Sequence, residues 1–150
     1  MKFLASRELG RLAKWLRILG FDAAYFREDN KSSFVITTLR EDRVVLTRNK
    51  ILLQNKALKS IFIKSEILRE QIKQVLGDCQ INFSDCKMFT RCIICNEELN
   101  KIEKNKAMSK VPKYVYETQN EFCQCHKCNR IYWQGTHWGN VQEILEKVSK

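Results

Sequence analysis

The chain has 150 residues, 44% of them hydrophobic and 29% charged, with one proline and five glycines. That composition can bury a core, and it excludes disordered, low-complexity and collagen-like chains; no run of eighteen apolar residues occurs, which excludes a membrane-spanning helix. The 27 Lys and Arg outnumber the 17 Asp and Glu to give +10, and 16 of the basic against 8 of the acidic residues fall at or before Gly77, an N-terminal excess that favours an anionic partner, nucleic acid foremost.

The opening Met1–Ser6 is apolar, but Arg7, Glu8 and Arg11 interrupt it at once. This speaks against a signal peptide and for a cytosolic protein. Lys2–Ala5 reads as a buried first strand. Arg7–Leu19 reads as a helix, because Leu9, Leu12, Ala13, Leu16 and Leu19 recur at three- and four-residue steps and Gly20 follows as a C-terminal stop. At about 100° per residue, Arg7, Arg11 and Lys14 share the opposite face, with Arg17 at its edge. Phe21–Phe26 reads as a second strand and Glu28–Ser33 as a loop. Ser32–Leu39 is read as a helix with Ser33 as its cap, although Val35, Ile36, Thr37 and Thr38 also suit a strand.

Arg43–Thr47 is the clearest strand. Its unbroken Val44-Val45-Leu46 suggests burial on both faces of a parallel sheet. Asn49 is placed to cap a helix carrying Ile51, Leu52, Leu53 and Leu58. Ser60–Lys64 reads as another strand, and Glu66–Leu76 as an amphipathic helix ended by Gly77. This alternation predicts an α/β layer over residues 1–77 around a mostly parallel sheet. Residues 78–90 lose the periodicity and read as a linker to a second unit over 91–150, in which Lys113–Glu117 has strand composition and Val141–Val148 reads as a short helix.

Five of the seven cysteines lie between Cys92 and Cys128. Cys92-Ile-Ile-Cys95 and Cys125-His-Lys-Cys128 each have the spacing of a metal knuckle. Zinc takes four thiolates tetrahedrally, so these four predict a structural zinc ribbon with no open coordination position for catalysis. Two disulfides are the competing reading, disfavoured in a reducing compartment. Cys123 and His126 offer substitute ligands, but Cys123 reads as a strand residue and His126 as exposed. Cys79 and Cys86 read as ordinary thiols. His137 is assigned a structural role, and at least one of Trp133 and Trp138 is expected to pack the ribbon.

Three motifs together resemble the Mut-7 C-terminal domain family. They are Phe3-Leu4 followed by the run from Leu9 to Asp22, then Arg43–Arg48, and then Arg91–Asn96 with Cys125–Cys128 and Tyr132–Trp138. They span almost the whole chain in the same order. The resemblance implies a PIN-like α/β domain followed by a zinc ribbon, and a ribonuclease activity. In such enzymes carboxylates at the C-terminal edge of the sheet hold Mg²⁺ or Mn²⁺, which activates water against an RNA phosphodiester. The chain departs from that pattern at two acidic positions, which are Ser6 after the first strand and Asn49 in the second motif. Asp29 is aligned with a further acidic position. The implied catalytic set is therefore Ser6, Asp29 and Asn49, with weakened affinity for a hard cation, and a catalytically inactive RNA-binding module is the alternative. Arg11, Lys14, Arg17, Arg43 and Arg48 fall inside the motifs and would suit RNA phosphate contacts. Asp22 lies in the opening motif without an assigned role. Glu8 and Asp42 read as solvated charges or helix N-terminal acids.

Overall fold

The structure is a computed structural model that describes residues 1–27, 29–133 and 139–150. Four strands form a parallel sheet in the order β2-β1-β3-β4: β1 (Lys2–Ala5), β2 (Asp22–Tyr25), β3 (Val44–Thr47) and β4 (Ser60–Phe62). Helices α1 (Gly10–Ile18), α2 (Lys31–Glu41) and α3 (Leu68–Asp78) alternate with them. The expected α/β layer is present. Successive side chains of a strand face opposite sides, and β1 shows this directly. Phe3 and Ala5 join the core beneath α1 and α3, while Leu4 joins Phe34 of α2 with Val45 and Leu58. Both faces are covered, which is why Val45, Leu46 and Thr47 are all fully buried.

The strand order has a consequence for ligand binding. The chain leaves β1 for β2 on one side and returns to β3 on the other. In open α/β sheets the crevice at such a switch point, beyond the strand C-termini, is where ligands bind. Here it lies between the ends of β1 and β3, where Ser6 N donates to Leu46 O at 3.0 Å.

A second sheet is antiparallel, in the order β5-β6-β7: β5 (Asn100–Ile102), β6 (Phe122–Gln124) and β7 (Ile131–Trp133). Between β5 and β6 lie α4 (Lys104–Ala107) and α5 (Lys113–Thr118). Ala107, Val115 and Phe122 form a small core with Trp133 packed against it. The last helix, α6 (Gly139–Ser149), returns Leu145 and Val148 to the large core of the parallel layer. No helix among the described residues is long and apolar enough to cross a membrane.

Several local expectations are corrected. Asn30, not Ser33, caps α2, its Oδ1 accepting from Ser32 N and Ser33 N. Asn49 Oδ1 accepts from Ile51 N at 3.0 Å, but only a single 3-10 turn, Leu52–Gln54, follows; Asn55 then forms its own turn by accepting from Ala57 N. Gly77 lies inside α3, and the stop is Gln80, at φ 54, with Ile81 N bonded to Leu76 O. Lys113–Glu117 is helical rather than extended. Pro112 sets the entry, and Tyr114 is exposed while Val115 is buried. Residues 78–90, expected as a linker, pack Ile81, Phe83, Met88 and Phe89 against the large core. Gly20 explains how closely they approach: its φ is +95°, and a Cβ there would lie 2.1 Å from Lys87 O.

Candidate functional site

A cavity of about 390 Å³ opens at the switch point. Ser6, Asp29 and Asn49, the three residues named for the catalytic set, all line it, together with Arg7, Glu8, Lys31 and Phe34. The first follows β1, the second precedes α2 and the third follows β3. Only the parallel register brings them to one edge.

Glu8 occupies the centre of the polar network. Its Oε1 accepts from Ser6 Oγ at 2.5 Å, from Arg48 N at 2.8 Å and from Thr47 Oγ1 at 3.2 Å. Thr47 Oγ1 also lies 3.1 Å from Ser6 Oγ and accepts from Asn49 N at 2.9 Å. Partial burial pushes the Glu8 carboxyl up, but the bonds from Ser6, the Arg48 backbone and Thr47 outweigh it and leave its pKa below the ordinary value. Glu8 is exposed and stands in the first helical turn after β1, as expected of a helix-terminal acid, and this network is an addition to that role. The sequence signal was its place two residues past Ser6 at the end of a buried strand. Asp29 is exposed and paired with Arg7 Nη1 at 3.0 Å.

Mg²⁺ and Mn²⁺ favour several anionic oxygen donors. Among the described residues two carboxylates, Glu8 and Asp29, line the cavity, and the side-chain oxygens of Ser6, Asn30 and Asn49 are neutral. Glu8 Oε1 already accepts three bonds, Asn49 Oδ1 accepts from Ile51 N, and Asp29 faces a guanidinium. Among the described residues, the group of three or more Asp, Glu, His or Cys close enough to share an ion is the four cysteines, not this edge. A hard cation that dehydrates reluctantly is poorly matched here.

The five basic residues named from the motifs separate sharply. Arg11 and Lys14 are exposed on α1. Arg48 donates to Ile63 O and Lys64 O, each at 3.0 Å. Arg17 and Arg43 are only 8% and 9% exposed, and their guanidinium groups are held inside the protein, which corrects their reading as phosphate contacts. Arg43 Nη1 donates to Phe3 O at 3.0 Å and to Asp22 Oδ1 at 2.7 Å, and its Nε to Glu41. Arg17 Nε donates to Ala23 O at 2.8 Å, and its Nη1 to Ile93 O at 2.6 Å and Ile94 O at 3.1 Å. Asn96 adds a bond to Asp22 Oδ1 at 2.6 Å and accepts from Ala23 N at 3.0 Å. The knuckle at Cys92–Cys95 is thus latched onto α1 and the start of β2, at the sheet edge opposite the cavity.

The four cysteine Sγ atoms of Cys92, Cys95, Cys125 and Cys128 lie within 4.8 Å of one another. Zn–S bonds of about 2.3 Å in a tetrahedron imply S···S edges near ~3.8 Å, and Cys92 Sγ to Cys128 Sγ is 3.7 Å. The two knuckles repeat one backbone pattern. Asn96 N and Asn129 N bond Cys92 O and Cys125 O, both at 2.9 Å, and Cys92 N and Cys125 N bond Glu97 O and Arg130 O. Both asparagines sit at left-handed φ, 64° and 60°, which Asn tolerates better than most residues. Cys95 N and the Tyr132 hydroxyl lie 3.3 and 3.1 Å from Cys92 Sγ. Burial raises the Cys92 thiol, but these bonds prevail and bring it down to about 7. The set fits a structural zinc ion. Cys123 lies in β6 and His126 is exposed, outside the ligand group. His137 and Trp138 lie outside the described residues, as does Glu28.

Comparison with curated proteins and with solved structures returned no match. Against protein families, the Mut7-C RNAse domain profile matches residues 1–145, nearly the full length; the chain belongs to that family.

Proposed function

We propose that this protein is an RNA-binding member of its ribonuclease family in which metal-dependent hydrolysis has been lost or greatly weakened. The observation that carries this reading is the state of the switch-point cavity. Of the two carboxylates in its described lining, Glu8 is held by Ser6, Thr47 and the Arg48 backbone and Asp29 is paired with Arg7. Arg7 and Lys31 line the same cavity, and Arg11 is exposed near the start of α1, so phosphate can be met by cations there. The zinc ribbon, with its four thiolates filling the coordination sphere, serves as a structural support and not as a reaction centre.

The test is a binding titration beside a cleavage assay on the same labelled RNA, with Mn²⁺, Mg²⁺ or EDTA. The expected result is binding that weakens steeply with salt and is reduced in Arg7→Ala, with no cleavage in any buffer. Cleavage that requires Mn²⁺ or Mg²⁺ and stops in EDTA would overturn the loss of hydrolysis. Binding indifferent to salt would overturn the electrostatic placement of the RNA.

A further inference from the structure

The cavity at the switch point does not end at its polar lining. A second groove, of about 600 Å³, continues from it between α2 and the 51–58 segment, and Lys31 and Leu52 line both. Its chemistry differs. Val35, Ile36 and Ile51 contribute aliphatic surface, Leu58 also lines it, and among the described residues no acidic one does. Ile36 and Ile51 are 60% and 55% exposed, so their side chains are open to a ligand. Polar edges are also present. Gln54 is exposed, and Asn55 accepts from Ala57 N through Oδ1, which leaves its amide NH₂ as a donor.

We infer that this groove takes the unpaired base of a nucleotide whose phosphate lies in the adjoining cavity, so that the protein selects single-stranded RNA. This inference rests on the RNA reading above. Two features choose this occupant. The groove is continuous with the cavity through Lys31, a cation at the junction, as a polymer requires when phosphate and base alternate along it. Its lining also matches a base, with apolar walls for the flat faces and amide groups for the hydrogen-bonding edge. A paired base in a duplex is stacked and cannot enter such a groove, whereas an unpaired base can turn outward into it. Lys31 stands where the two spaces meet, at the position of the linking phosphate.

The experiment uses the full chain with zinc bound. Fluorescence anisotropy compares a labelled single strand, the same strand in a duplex, and a set of strands carrying one abasic site each. The proteins are wild type and the double variant Ile36→Ser, Ile51→Ser, whose exposed positions leave the core untouched. Expected are a roughly tenfold weaker single-strand affinity in the variant, a similar loss in wild type for at least one abasic strand, and no further loss when the two are combined. Duplex binding stays weak and equal in both proteins. Single-strand affinity of the variant within twofold of wild type, while Arg7→Ala still weakens it, would overturn the groove and leave the RNA reading standing. Wild type that binds no RNA would overturn the RNA reading itself. A wild-type dimer in sedimentation that the double variant converts to monomer would assign the groove to a second copy of the chain and overturn the inference.

Discussion

Replacing Arg17 by methionine separates the latch from every other role. Methionine keeps most of the aliphatic stem, so the packing of α1 is little changed. The guanidinium's bonds to Ala23 O, Ile93 O and Ile94 O are lost. Hydrogen bonds from a charged donor contribute about 1.5–3 kcal/mol each when buried. Ile94 is half exposed, so water can replace its bond. We therefore expect a destabilisation of about 3–4 kcal/mol, against the roughly 5–15 kcal/mol available to a typical domain. For a chain of this size that corresponds to a fall in Tm of about 10 °C. Calorimetry with saturating zinc measures it. Arg11→Met, at an exposed position, should stay within about 0.5 kcal/mol of wild type. Because two of the three acceptors lie in the Cys92–Cys95 knuckle, zinc removal and the Arg17 substitution act on one contact. A chelator should then lower Tm less in the variant than in wild type, a non-additivity of the kind a double-mutant cycle measures. A Tm change below about 2 °C for Arg17→Met, or strictly additive effects, would refute the latch.

Other consequences follow from the same geometry. One zinc per chain is expected by elemental analysis, lost in Cys92→Ser or Cys125→Ser and kept in Cys123→Ser; a metal retained by the first two would refute the ligand set. Stability should depend on acid. The carboxyls of Glu8 and Asp22 lie below their ordinary values of 4.5 and 3.8 despite burial, held down by the Ser6 and Arg43 bonds respectively. Their contribution is complete above those values and is lost as pH falls through the depressed ones. Tm should therefore hold from pH 7 to about 5 and drop below pH 4, with a shallower drop in Glu8→Gln; equal slopes in variant and wild type would argue against the network. The double substitution Ser6→Asp, Asn49→Asp sets a second carboxylate beside Glu8 and a third near it. It should lower Tm in EDTA and regain stability on adding Mn²⁺, and an unchanged Tm in both buffers would mean that the edge does not gather these groups.

The strongest local patterns were legible from the chain alone. β1, α1 and β3 carry unbroken or 3.6-periodic apolar runs, and burial of such runs is decided within a few residues. The four grouped cysteines were legible for a similar reason: a knuckle is a local turn, and its two cysteines are three residues apart. The grouping of Ser6, Asp29 and Asn49 came from the family resemblance, and the parallel register brings them to one cavity. Tertiary structure alone decided which charges are available. Arg11, Arg17 and Arg43 look alike as letters, yet one is in water and two are buried. Two of the three acceptors of Arg17 lie 76 and 77 residues away, and no local period reports them. Glu8 became the hub of its network only because β3 ends beside β1, placing Thr47 and Arg48 N against it. The groove beyond Lys31 is likewise a product of packing, since it exists only where α2 and the 51–58 segment stop short of each other. Backbone and burial preferences act over a few residues and can be read along the chain. Partners of a charge are set by strand order and close packing, which are properties of the whole molecule.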